Sequence, residues 1–205
     1  MENIKIFKFY NQGWDTTIKV LSDYFIDEMR IHEVDESGRV IGNWFRDYNK
    51  IGLGIYPEWI EFPIVFRVVR GNKFRDIIDT ESFNTNMLIS DRLKDLLEQE
   101  KVSGWQSYPI KLYDKKGSVV TGYHGFSVIG RGGEFEDKDE IPIMERVIKN
   151  IKWKYRISNW DGSDFFYINP GFFYVTDRVK KLFRLYGIQS AIRFEPWDVD
   201  IELIR

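Results

Sequence analysis

Apolar and polar positions change their spacing several times along this chain. Between Met1 and Tyr10, Ile4, Ile6 and Phe9 are separated by Lys5 and Lys8, the alternation of a first strand rather than the apolar run of a leader. Arg30 to Ile41 reads as a hairpin around the polar turn Asp35 to Gly38. The same signature recurs from Lys111 to Tyr123, turning at Asp114 to Gly117, and from Tyr155 to Ile168, turning at Asp161-Gly162. Glu61 to Val69 predicts a buried strand, and Val199 to Leu203 alternates with period two, as an edge or terminal strand does. Three hairpins predict a mostly antiparallel sheet.

Helical spacing appears at two places that resemble each other. Ser90-Asp91-Arg92-Leu93-Lys94-Asp95-Leu96-Leu97 aligns with Thr176-Asp177-Arg178-Val179-Lys180-Lys181-Leu182-Phe183, 86 residues later, and the match extends through Val102/Ile188 to Tyr108/Phe194. Pro109 and Pro196 follow one residue out of step. In each copy Ser90 or Thr176 is placed to cap the helix, and Asp91 or Asp177 meets the positive end of the helix dipole. Leu93, Leu96 and Leu97, like Val179, Leu182, Phe183 and Tyr186, are expected to form one apolar stripe. Gly187 stands where a left-handed C-cap belongs; the first copy has Lys101 there, which predicts a different helix end.

A third helix is predicted from Pro142 to about Lys152, with Met144, Val147, Ile148 and Ile151 on its apolar face. Before it lie Gly130-Arg131-Gly132-Gly133 and the acidic run Glu134 to Glu140, which together predict an exposed flexible loop. The expected fold class is α+β: mostly antiparallel sheet with two or three packed helices and an internally duplicated helix–strand unit. One compact domain spans 1–205, divided into an N-terminal α+β part over 1–130 and a C-terminal part over 141–205 joined by that loop.

Length and composition narrow the field. At 205 residues, with 43% hydrophobic and 30% charged side chains, the chain has room for a real core and none for a multidomain cofactor enzyme. Its 16 Phe, 11 Tyr and 7 Trp favour strands and thick cores. The absence of cysteine removes disulfides, thiolate metal sites and thiol catalysis, and fits a cytoplasmic home. No apolar run approaches the roughly 20 residues of a membrane helix, so no membrane partner is expected. The net charge of −2 argues against a general polyanion-binding surface.

Candidate chemistry is sparse. His32 and His124 lack metal-binding spacing, and Gly130 to Gly133 lacks the Lys-Ser/Thr of a phosphate-binding loop. No G-x-S-x-G motif occurs. Glu58, Glu61, Asp161 and Asp164 lie near Trp59, Trp160 and Phe165, the residue types of a sugar-cleaving carboxylate pair, although solvated acids flanking core aromatics read as the plainer account. Arg146, Lys149, Lys152, Lys154 and Arg156 interleave with Trp153 and Tyr155, a composition able to contact nucleic acid, weighed against a solvated helix face. Neither a cofactor nor a metal is expected.

Leu88 to Leu97, with Val102-Ser103-Gly104 and Tyr108-Pro109-Ile110, resembles a bacterial immunity-protein family of polymorphic toxin systems, and Val175 to Pro196 looks like the same motif with Ser190 in the place of Gly104. The resemblance implies a cytoplasmic, non-catalytic protein that binds a cognate toxin domain and blocks it. On that expectation Ser90, Asp91, Arg92, Leu96, Thr176, Asp177, Arg178 and Leu182 are structural, while Glu134, Glu136, Asp137, Asp139 and Glu140 meet a basic toxin surface.

Overall fold

The computed structural model describes residues 5–11, 17–23, 50–58, 60–80, 87–137, 141–149, 154–157, 159–169, 172–188, 192–196 and 200–203. Their elements are, in order, β1 (Ile6–Asn11), β2 (Lys19–Ser22), β3 (Ile64–Arg70), β4 (Ile77–Thr80), β5 (Met87–Ser90), α1 (Asp91–Gln99), β6 (Trp105–Tyr108), β7 (Ile110–Tyr113), β8 (Val119–Val120) and β9 (Tyr123–Val128). Then follow β10 (Arg131–Asp137), α2 (Ile143–Lys149), β11 (Lys154–Ile157), β12 (Phe165–Asn169), β13 (Phe172–Thr176), α3 (Asp177–Leu185), β14 (Ile192–Pro196) and β15 (Asp200–Leu203). The class is α+β, with mixed rather than mostly antiparallel sheets: β2·β4, β3·β7, β10·β12 and β11·β15 are parallel ladders.

One sheet runs β6-β9-β5-β4-β2-β3-β7-β8, the other β14-β1-β13-β12-β10-β11-β15. Only Pro109 separates β6 from β7, yet the two stand on opposite sides of the first sheet. A single bent strand therefore pairs with β9 through its first half and with β3 through its second, so six strands close on themselves as a barrel, with β8 as a flap on β7. Proline at the bend fits, since it donates no ladder hydrogen bond. β14 and β15, close in sequence, bound the second sheet in the same way.

Period-two alternation divides the buried side chains into layers. Ile78 and Leu88 join Ile18, Val20, Ile64, Phe66 and Leu112 in the core enclosed by the first sheet. Their neighbours Ile77, Met87 and Ile89 face the other way and pack with Phe9, Phe126, Phe165, Phe173 and Val175 from strands of both sheets. Leu93, Leu96 and Leu97 of α1 and Val179 and Phe183 of α3 complete this shared core. In the second sheet, Phe166, Ile168 and Tyr174 point away from it and are buried, with Trp160 and Phe166 rings 5.7 Å apart. One core cluster thus draws residues from both expected parts, and β1 lies in the sheet built from the C-terminal half.

Several expectations change. The loop expected over 130–140 is strand β10 through Asp137, because Arg131 to Asp137 pairs with β12 and β11. Asp139 and Glu140 fall outside the described residues, as do His32 and the hairpin expected over Arg30 to Ile41. The hairpin around Asp114 to Gly117 forms: β7 pairs with β8, and the Asp114 carboxylate accepts from Lys116 N and Ser118 N. The one expected around Asp161-Gly162 does not, since β11 pairs with β10 and β15 whereas β12 pairs with β10 and β13. Helix α2 is described over Ile143–Lys149, and two residues of its predicted apolar stripe face solvent: Met144 is 71% and Ile148 76% exposed, while Ile151 lies outside the described residues. Among the described residues no helix is long and apolar enough to cross a membrane.

Candidate functional site

Both S/T-D-R motifs open helices, and in each the arginine turns back to an aspartate just before the preceding hairpin. Ser90 Oγ donates to Asp76 Oδ1 at 2.8 Å and accepts from Leu93 N, as an N-cap should, while Arg92 Nη1 pairs with Asp76 Oδ2 at 3.0 Å. Thr176 Oγ1 likewise donates to Asp164 Oδ1 at 2.9 Å, and Arg178 Nη1 pairs with Asp164 Oδ2 at 2.8 Å. Thr176 makes no side-chain capping bond, so its expected cap role is not realised. The second guanidinium nitrogen of each arginine crosses to the other helix. Arg92 Nη2 donates to the carbonyl of Tyr186, the C-cap of α3, and Arg178 Nη2 to the carbonyl of Glu100, the C-cap of α1. Cations at carbonyl-rich helix ends are favoured by the dipole as well as by the bonds.

Asp76 and Asp164, the anchors of these arginines, carry no motif of their own; an acid followed by paired apolar residues, Ile77-Ile78 or Phe165-Phe166, is the faint signal available. Asp164 also accepts from Ser103 N at 3.1 Å, so this carboxylate, a candidate for hydrolysis, is committed to holding chain segments together. Asp161 accepts from Arg131 N and Ser163 N and fixes its turn. Asp91 pairs with His124 Nε2 at 2.7 Å, which gives that histidine a structural partner. Beside it, the half-buried Tyr123 donates to Arg75 O; burial, and then the negative charge of Asp76, push its phenol up to about 12. Asp177 pairs with Lys181 along α3. Leu96 is buried and Leu182 partly buried in the shared core.

The helix ends are alike, contrary to expectation. Lys101 adopts the left-handed φ of 49° that Gly187 adopts at 58°, and Val102 N and Ile188 N fold back onto Leu97 O and Phe183 O. One more residue lies between Leu185 and Ile192 than between Gln99 and Trp105. Ladder register accordingly places Phe194 with Ser107, not Tyr108, and brings Pro196 into step with Pro109.

The glycines near 130 serve close packing rather than phosphate binding. A Cβ on Gly130 would lie 2.1 Å from Phe165 O, and one on Gly104, whose φ is +82°, only 1.9 Å from the same atom. Arg131 spans this seam, its guanidinium donating to the carbonyls of Val128, Gly130 and Leu53, and burial lowers its pKa. At the same register place in the first sheet, Lys19 is buried against Asp79 at 2.6 Å.

The carbonyl of Leu53 belongs to a segment that carries exposed apolar groups. Gln106 Nε2 donates to Tyr56 Oη at 2.9 Å, Tyr56 Oη lies 3.4 Å from Ser127 Oγ, and Ser127 Oγ donates to Ile51 O at 2.6 Å. The Tyr56 ring meets Phe62 edge-on at 5.1 Å, and both lie 6.0 Å from Tyr108. Ile129 covers Gly54, where an added Cβ would come 2.4 Å from its Cγ2. This anchored segment presents Ile55 and Phe62, exposed by 51 and 41%, with Glu58 and Glu61 exposed between them in the chain, and Ile129, just after β9, is exposed by 40%.

Three of the five acids, Glu134, Glu136 and Asp137, lie on β10. Register places Glu134 beside Asn169, Glu136 beside Arg156, Asp137 beside Tyr155, and Arg156 beside Glu202. The basic run is divided between α2, where Lys149 pairs with Glu145 at 2.6 Å, and β11, which lies between two strands, with Lys152 outside the described residues. Among the described residues no group of three or more His, Asp or Glu is arranged to hold a metal ion. No protein-family model matches this chain, and no curated protein matches it.

Proposed function

We propose that this chain is a non-catalytic immunity protein that binds and neutralises a cognate bacterial toxin domain in the cytoplasm. The observation that carries the reading is the patch of Ile55, Phe62 and Ile129, held by the Gln106–Tyr56–Ser127 bonds and by Arg131. Exposed apolar side chains on a braced segment suit a docking face, with Phe62 as an anchor that loses water on binding. Glu58 and Glu61 add a negative border that speeds approach of a basic partner, and the run Glu134, Glu136, Asp137, Asp139 and Glu140 is a second concentration of negative charge in the sequence. Ser90, Asp91, Arg92, Thr176, Asp177 and Arg178 have structural partners, which supports their assignment as framework. On this reading the helix–strand unit is an internal duplication, supported by the matched aspartates and reciprocal arginines.

Co-expression with candidate toxin domains from genes neighbouring this one tests the reading. The wild-type chain restores growth, whereas Ile55→Ser abolishes rescue at unchanged melting temperature; full rescue by that folded variant contradicts it. Replacing the five acids of the run by their amides slows association and flattens its salt dependence, which stopped-flow binding at two ionic strengths checks.

A further inference from the structure

The likeness between the halves extends well past the helix–strand unit. Taken across the sheets, β6-β9-β5-β4-β2-β3-β7 and β14-β1-β13-β12-β10-β11-β15 show one succession of ladders: antiparallel three times, parallel, antiparallel, parallel. Their registers agree. Phe126 stands between Met87 and Ser107 as Phe9 stands between Phe173 and Phe194. Asp91 N donates to Gly122 O, just before β9, and Asp177 N to Lys5 O, just before β1. One strand in each sheet breaks chain order. β1, which opens the first half, is laid into the second sheet, and β9, which opens the second half, is laid into the first.

We propose that the chain is a tandem repeat of one barrel-forming unit, 6–113 and 123–203, whose copies have exchanged their first strands. Each barrel then closes only with a strand from the other copy: β14 reaches β13 through β1, and β6 reaches β5 through β9. Domain-swapped dimers exchange elements in this way between chains; here the exchange lies within one chain. The arginines that cross between helix ends form a second reciprocal tie, and the shared core fills the space between. The two halves therefore make one cooperative unit. The inference holds whatever the protein binds.

Cutting the full-length chain tests the exchange. A specific protease site is inserted in the Lys115-Lys116-Gly117 turn, which is exposed and has nothing within 4 Å of the Gly117 Cβ position, and is then cleaved. The expected result is that both fragments elute together at the uncut mass in native buffer and part only in denaturant. Separation in native buffer into two folded fragments overturns the proposal. A second measurement needs no insertion: hydrogen exchange of the unaltered chain across a urea series. β1 and β9 amides are expected to lose protection at one urea concentration, together with β4-β5 and β12-β13; two separated transitions overturn it.

Discussion

The two sheets share a frame but fill it differently. Facing the shared core, the first half supplies Ile77, Met87, Ile89, Leu93 and Leu97, where the second supplies Phe165, Phe173, Val175, Val179 and Phe183 at the matching ladder and helix positions. The enclosed cores differ in the same direction, with Ile78 and Leu88 against Phe166 and Tyr174. Aliphatic groups thus meet aromatic ones, and rings from β1, β9, β12 and α3 stack edge-on, as Phe165 does with Phe9 at 5.8 Å and with Phe126 at 5.3 Å. The polar ties do not diverge: each arginine meets an aspartate and a helix-end carbonyl. Core positions require volume, which unlike residues can share out, whereas a backbone carbonyl stays in place and needs the same donor on both sides.

That contrast ranks the substitutions. Phe165→Ala, which removes a ring contacting three others, should cost about 3–5 kcal/mol, and Ile77→Ala at the matching place should cost less within a range of about 2–5 kcal/mol. Urea titration of both variants checks the order, and equal losses would erase the claimed division of volume. Arg92→Ala and Arg178→Ala should each cost about 1–2 kcal/mol and match one another, because each leaves an aspartate carboxylate that is 9 or 11% exposed without its cation. A large inequality in their melting shifts would break the equivalence of the two ties. The smallest effects lie at the helix ends: Lys101→Gly should add, and Gly187→Ala remove, about 1 kcal/mol, since only glycine takes the left-handed conformation without strain.

Local signals in the sequence reached the frame and stopped at pairings set over distance. The helices opening at Asp91 and Asp177, the Ser90 cap, the Asp114 turn and the strands around Ile64 and Ile201 were legible because their cues are adjacent residues. The left-handed turn at Lys101 was not, as nothing but its fold distinguishes it from an ordinary helical lysine. Asp161-Gly162 makes a turn, but the strands it joins find partners elsewhere in the sheet, which turn chemistry cannot specify. Asp76 and Asp164 lie a hairpin away from the arginines they hold, and the exchange of β1 and β9 shows only in register. On the candidate site, Glu58 and Glu61 stood out in sequence as possible catalytic acids; their place bordering Ile55 and Phe62 needed Tyr56, Gln106 and Ile129 to be brought together from three parts of the chain.

Hydrogen exchange of this protein alone and in the presence of the toxin domain it is proposed to bind tests the functional proposal most directly. The account predicts new protection over residues 53–62 and at Ile129, with the amides of α1 and α3 little changed. Protection confined to α1 and α3, with the 53–62 segment exchanging as in the free protein, would contradict it.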